Sequence, residues 1–197
     1  MQHSRPGAPV TVGFARTATI AGLAPSPDPV QTVRARRMAY CRSMAAGQES
    51  DIPTVAVIED TDYPHCIAGW WGEVNVAVHK GLGIAGAVTN GVMRDLDVLD
   101  EGFAVLDESV GPSHGHLHVT GIGGAVTVMG LSVAQGDLIH ADRHGAIVIP
   151  PEAIPTLEAA IRRVEDSEAI VLGPARAPGF DIEKLEGVWA AFEAART

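Results

Sequence analysis

Hydrophobic and polar positions follow two different periods along this chain, and the changes between them mark its elements. From Pro9 to Gly22 the run PVTVGFARTATIAG alternates loosely between β-branched and small residues and predicts a strand. Pro25, Pro27 and Pro29 break the chain. Val30 to Ala46 then sets Val30, Val33, Ala35, Met38 and Ala39 beside Arg34, Arg36 and Arg37, a helix with one solvated face. Thr54 to Ile58 predicts a short buried strand, and Gly69 to Gly72 reads as a turn. Glu73 to Lys80 predicts a helix, with an acid in the first turn and a cation in the last as the helix dipole favours. Leu82 to Thr89 is nearly all apolar and predicts a buried strand, followed by a short helix near 94 to 100. Strands then dominate: Gly102 to Leu106, a stretch from Val110 to Thr120, Ala125 to Met129, Leu131 to Val133, and Leu138 to Ile149 folded about Arg143-His144-Gly145.

After Pro150-Pro151, a helix from Glu152 to about Asp166 carries Ile154, Leu157, Ile161 and Val164 at helical spacing. Beyond Gly173-Pro174, Ile182 to Phe192 places Leu185, Val188, Trp189 and Phe192 on one face. The order predicts a mixed α/β fold, a helix-covered sheet layer joined to a β-rich, barrel-like part in a single domain. That domain is expected over residues 9–172, after a frayed N-terminus at 1–8 and before a tail at 173–197.

Composition narrows the class. A chain of 197 residues can close one full core without needing two domains. Its net charge of -10 argues against nucleic acid as a direct partner, because phosphate backbones need clustered Lys and Arg. An anionic small molecule stays open, since one Arg and one metal ion can reverse a local field. Cys41 and Cys66 have no paired spacing, so a disulfide framework is not expected. With no apolar run long enough for a membrane span and no signal-peptide pattern, the expected location is the cytoplasm, with no membrane partner.

The candidate chemistry gathers between residues 70 and 97. The free N–H groups at the start of the predicted helix, at Glu73, Val74 and Asn75, form a seat for a carboxylate or phosphate, and Gly72 lets the ligand come close to the backbone. Arg94-Asp95 follows the buried strand directly, the end of a sheet layer at which ligands commonly bind. Read alone, Glu73 is more simply a first-turn helix acid, and Arg94-Asp95 a structural cap or surface ion pair. His114, His116 and His118 alternate, so one strand would put three imidazoles on one face; three imidazoles can bind zinc, but residues two apart on one strand are poorly placed around one ion, and a solvated or interface strand face is expected. Of Trp70 and Trp71, adjacent and pointing opposite ways, at least one is expected in the core.

Glu73, then twenty residues, then Arg94-Asp95 resembles the acid-x20-Arg-Asp signature of the RraA-like family, which includes 4-hydroxy-4-methyl-2-oxoglutarate aldolases, oxaloacetate decarboxylases and regulators of ribonuclease E activity. GLSVAQGDLIHADRHGAIVIP at 130–150 is similar to the family's closing hairpin. The likeness runs from about Pro9 to about Val171. In this chain the signature acid is Glu where the family more often has Asp, and the family's N-terminal helical segment has no counterpart before Pro6. The resemblance implies a metal-dependent lyase that cleaves a carbon–carbon bond of a small 2-oxo acid through a metal-stabilised pyruvate enolate. It implies Glu73, Arg94 and Asp95 as catalytic residues, Gly72, Glu73, Val74, Asn75 and Arg94 as substrate contacts, and Asp95 as the ligand of Mg2+ or another divalent cation such as Mn2+. It further implies a homotrimer, with Glu165 or Glu168 as an acid offered to a neighbouring subunit. The alternative it carries is a non-catalytic regulator that binds an RNA-degrading enzyme.

Overall fold

The computed structural model describes residues 10–46 and 51–196 and the backbone of Gln2–His3. Its strands and helices in chain order are β1 (Gln2–His3), β2 (Thr11–Ala21), α1 (Val30–Ala45), β3 (Thr54–Asp60), β4 (Gly69–Trp71), α2 (Glu73–Gly81), β5 (Ile84–Thr89), β6 (Val92–Met93), β7 (Ala104–Asp107), β8 (Ser109–Val110), β9 (His118–Ile122), β10 (Val126–Val128), β11 (Leu131–Val133), β12 (Leu138–Asp142), β13 (Gly145–Ile149), α3 (Ile154–Ala175) and α4 (Ile182–Arg196). Contacts divide the chain into two compact units, Met1–Ile149 and Pro150–Thr197.

The first unit has the expected mixed α/β fold. Its main sheet runs β1-β7-β5-β3-β2-β12-β13, with β9 also pairing β2. The centre, β2, β3, β5 and β7, is parallel. One edge of β2 is shared: Thr11–Phe14 pair with β12 and Ala18–Ala21 with β9, with a register shift at Thr19/Ile20. In the gap between the two partners, the side-chain oxygen of Gln135 accepts hydrogen bonds from the N–H and hydroxyl of Thr17 at 2.8 and 2.9 Å. Splitting one strand between two partners bends the sheet, which curls as a half-barrel.

The period of two along β3 explains the layers. Val55 and Val57 pack on one face with Val126, Val128 and Val133 of the β10–β11 hairpin. Ala56 and Ile58 pack on the other with Tyr40 and Met44 of α1 and Val76 of α2. A strand covered on both faces is apolar throughout, which is why TVAVI reads as a continuous run. Each large side chain so buried contributes about 1.5–3 kcal/mol.

Four expectations change. Gly69–Trp71 is a strand rather than a turn: both indoles are buried, and β4 joins β6 and β8 in a small parallel sheet. The helix expected near 94–100 is a single 3-10 turn, Leu96–Val98. Gln2–His3, within the stretch expected to fray, pair with Asp107 and Leu106 of β7; the rest of residues 1–8 lies outside the described residues. Finally, α3 continues through Gly173-Pro174 to Ala175 instead of ending near Asp166, and it belongs wholly to the second compact unit, which starts at Pro150. Pro174 is tolerated because only one backbone hydrogen bond of the last turn is lost.

In the second unit, α4 starts where the Asp181 carboxylate accepts the N–H of Lys184 at 2.9 Å, a side-chain cap. Trp189 and Phe192 pack together with ring centres 5.2 Å apart and their planes tilted by 58°. Ile154, Ile161 and Val164 are exposed along α3. Among the described residues no helix is long and apolar enough to cross a membrane.

Candidate functional site

The Arg94-Asp95 pair is delivered by β6, whose neighbours β4 and β8 hold it from both sides. The N–H of Arg94 donates to the Trp71 carbonyl at 2.9 Å. Its Nε points to the Gly69 carbonyl at 3.4 Å, and its Nη1 stands 2.8 Å from Oδ2 of Asp95. Asp95 has φ 60° and ψ 35°, the left-handed region. Aspartate tolerates that region better than most side chains. This local reversal turns the carboxylate back onto the start of α2, where Oδ2 accepts the N–H of Glu73 at 3.2 Å.

Gly72 closes the arrangement. A β-carbon there would lie 2.6 Å from Oδ2 of Asp95 and 3.0 Å from Cγ of Arg94. Its φ of -165° is extended backbone open to any residue, so the requirement for glycine is steric. The N–H groups of Val74 and Asn75 lie in the first turn of α2, where no intrahelical acceptor exists. Arg94 is 18% exposed at its side chain, and among the described residues its Nη2 makes no hydrogen bond. Thus the expected residues Gly72, Glu73, Arg94 and Asp95 do come together, with Val74 and Asn75 one step along the helix. Glu73 meets Asp95 through its backbone; its side chain is exposed.

A metal can be tested against this donor set. Among the described residues no group of three or more His, Cys, Asp or Glu side chains gathers around one point. A cation at Asp95 would rest on a single hard carboxylate and keep water over most of its shell. That suits magnesium or manganese and does not suit a closed zinc or calcium cage.

Three sets of buried polar groups hold the site in place, and the sequence reading passed over them. His79, fully buried on the inner face of α2, lies with Nδ1 2.5 Å from the Asn75 carbonyl and Nε2 2.5 Å from the Tyr40 hydroxyl of α1. A carbonyl only accepts, so Nδ1 carries the proton and Nε2 accepts from Tyr40. Burial pulls the His79 pKa down to about 4 and pushes the Tyr40 hydroxyl well above its usual range. The Asn75 side chain donates to the Trp70 carbonyl and accepts from Arg37, whose guanidinium sits 4.1 Å over the Trp70 ring. At the ends of β3 and β5, Asn90 accepts the Asp60 N–H at 2.7 Å and Thr89 donates to the Ile58 carbonyl at 2.7 Å. These bonds fix the chain just before β6. Burial raises the Asp60 carboxyl above its usual range and pushes the neighbouring Cys66 thiol up to about 12, which removes it as a nucleophile. The available signal was a histidine three residues after Val76, on the same buried helix face.

The histidine triplet separates. Only His118 is in β9; His114 and His116 precede it and are exposed, while His118 is buried with Nδ1 2.8 Å from the His116 carbonyl. A loop, not a strand, carries the first two, so alternation does not bring them to one face. Trp70 and Trp71 are both core. Glu165 and Glu168 are exposed on α3.

Comparison with known proteins agrees with this fold. An uncharacterized protein of Methanocaldococcus jannaschii is 30% identical over 100 residues, 50% of this chain and 48% of that protein, so the chain spans about half the length of that curated relative. Among solved structures, an uncharacterized protein from Pseudomonas syringae pv. tomato superposes with a TM-score of 0.62 at 19% identity, over 98% of this chain and 78% of the other. Streptomyces coelicolor RraAS2, described as an unusual member of the RNase ES inhibitor RraA protein family, superposes with a TM-score of 0.62 at 24% identity, over 82% and 77%. At such identities the likeness is one of fold. The sequence model of the RraA-like family, described as aldolase/RraA, matches residues 11–148, from β2 through β13 and across the whole Gly72–Asp95 site, and the chain belongs to that family.

Proposed function

We propose that this protein is a divalent-metal-dependent lyase that breaks a carbon–carbon bond of a small 2-oxo carboxylic acid, either as a 4-hydroxy-4-methyl-2-oxoglutarate-type aldolase or as an oxaloacetate decarboxylase. The observation that supports it is the meeting of Arg94, Asp95 and the first turn of α2 around Gly72. The substrate carboxylate takes the N–H groups of Val74 and Asn75, and Nη2 of Arg94 binds its carboxylate or keto oxygen. Asp95, oriented by the Glu73 N–H and by Arg94, would hold Mg2+ or Mn2+. When bound, the ion supplies Lewis-acid polarisation of the keto group and offsets the negative charge left as the bond breaks. Arg94 adds a fixed positive charge at the same oxygen. Glu73, at the open side of the site, orients water or carries a proton.

The RraA-like family includes both lyases and non-catalytic inhibitors of ribonuclease E, and its members are typically oligomeric. A protein-binding regulator of an RNA-degrading enzyme has no need of an Arg-Asp pair set on a helix start, which favours the lyase. In a homotrimer the exposed Ile154, Ile161 and Val164 of α3 would find cover, and Glu165 or Glu168 would reach a neighbour. The test is pyruvate release from oxaloacetate and from 4-hydroxy-4-methyl-2-oxoglutarate, against protein-free controls, with magnesium and with excess chelator. Magnesium-dependent release from either substrate supports the lyase. Release from neither, with the protein folded, refutes it.

A further inference from the structure

Beside α1 and the start of β9 lies a hollow of about 510 Å³ that the lyase reading leaves without a role. The volume is within the range of sites for small organic molecules, roughly 300–1,000 Å³. Its walls are mostly apolar, with Val33 and Met38 of α1, Trp70, Leu117 and Val119, while Arg34 and Arg37 bring two guanidinium groups to it. A second hollow of about 390 Å³ shares Val33, Arg34, Leu117 and His118, so Arg34 borders both.

In a chain of net charge -10, two arginines on one cavity are notable because neither has a carboxylate partner among the described residues. The contrast is next door: Arg36 of the same helix is engaged by Asp28 at 2.8 Å and by the Val119 carbonyl at 3.3 Å. Arg37 is braced over Trp70 and, among the described residues, by one hydrogen bond to Asn75, which fixes its plane and leaves further N–H groups for a ligand. His118 also lines the hollow, its Nδ1 2.8 Å from the His116 carbonyl.

We propose that this hollow binds a small carboxylate with an apolar body, the carboxylate on Arg34 and Arg37 and the body against Val33, Met38 and Leu117. A guanidinium fork matches a carboxylate in two parallel hydrogen bonds, and the apolar walls exclude the water that would weaken them. The site uses neither Arg94 nor Asp95, so it stands or falls apart from the lyase reading.

The experiment is calorimetric titration of the full chain with phenylacetate, with its neutral analogue phenylacetamide and with inorganic phosphate. Phenylacetate should bind with a dissociation constant of about 1 mM or tighter, and the other two at least about tenfold more weakly. Arg34→Gln, at an exposed residue, should weaken phenylacetate several-fold at an unchanged melting temperature, and Val33→Trp, which fills the hollow and keeps both charges, should abolish binding. Asp95→Asn should leave it intact. Equal binding of phenylacetamide, no response to Arg34→Gln and Val33→Trp, or no phenylacetate binding at about 10 mM would each overturn the proposal.

Discussion

Replacing Gly72 by alanine adds one methyl group at the point where the site is tightest. The new carbon would sit 2.6 Å from Oδ2 of Asp95, and moving that oxygen only to 3.0 Å requires about 0.4 Å of retreat. Retreat is resisted because the same oxygen is held by Arg94 at 2.8 Å and by the Glu73 N–H at 3.2 Å. The longer of these should break first, and a hydrogen bond to a charged group contributes about 1.5–3 kcal/mol. Overpacking at a site that cannot relax costs about 1–3 kcal/mol. Since φ is -165°, no backbone strain is added. We therefore expect Gly72→Ala to lose about 1–3 kcal/mol in urea unfolding and about 10- to 100-fold in pyruvate-releasing kcat/KM, as misplacement on this scale does elsewhere. Gly81→Ala is the control, because nothing lies within 4 Å of a β-carbon there; it should be neutral or slightly stabilising. A Gly72→Ala protein as stable as the Gly81→Ala control, and within about twofold of its kcat/KM, would refute the steric argument.

Arg94→Lys should be nearly as damaging to kcat/KM as Arg94→Ala, because a lysine cannot meet Asp95 and the Gly69 carbonyl together and still offer a planar fork; a lysine variant within about twofold of the parent would show that charge alone matters. Tyr40→Phe leaves Nε2 of His79 buried without its donor and should cost about 1–3 kcal/mol in urea unfolding, so an unchanged midpoint would discount the bond. For His79 the folded pKa, about 4, lies below the ordinary 6.5, so the folded state binds fewer protons and stability is lost as pH falls from about 6.5 toward 4, by up to about 3 kcal/mol. Asp107 works in the opposite sense: burial raises its carboxyl from 3.8 to about 7, so stability is fully present below the lower value and declines as pH rises through the higher. Unfolding of parent and Asp107→Asn at pH 5 and pH 8 separates the two, with the variant gaining relative stability at pH 8; an identical difference at both pH values would contradict the assignment.

The sequence shows the main layers because their signals are local. Apolar runs at Thr54–Ile58 and Leu82–Thr89 become β3 and β5, and the charged ends of Glu73–Lys80 bound α2. The candidate site residues, Glu73 and Arg94-Asp95, were marked by the family resemblance, but not their geometry. Nothing local reveals that Asp95 is left-handed or that its carboxylate turns back to the Glu73 N–H. Gly-Trp-Trp-Gly misleads for a related reason: glycines usually mark turns, whereas here Gly69 and Gly72 make room for the Arg94 side chain and the residues between them form a buried strand. Alternation misled at His114, His116 and His118 because a period of two carries meaning only inside a strand, and β9 begins at the last of them. The Tyr40–His79 bond joins residues 39 apart in sequence and depends on α1 packing beside α2, which no window of sequence contains.

The central claim is that the Asp95 carboxylate, held at the start of α2, is the protein's hold on the metal that carries the chemistry. The direct test is the initial rate of pyruvate formation from oxaloacetate at saturating Mg2+ in the parent and in Asp95→Asn, each corrected for the protein-free rate. Asparagine tolerates the left-handed backbone, so the change removes charge and leaves the local fold. The expected result is magnesium-dependent turnover in the parent and a fall of at least about 100-fold in kcat for Asp95→Asn, at an unchanged far-ultraviolet circular dichroism spectrum. An Asp95→Asn protein that turns over as fast as the parent, with the same dependence on magnesium, would contradict the claim.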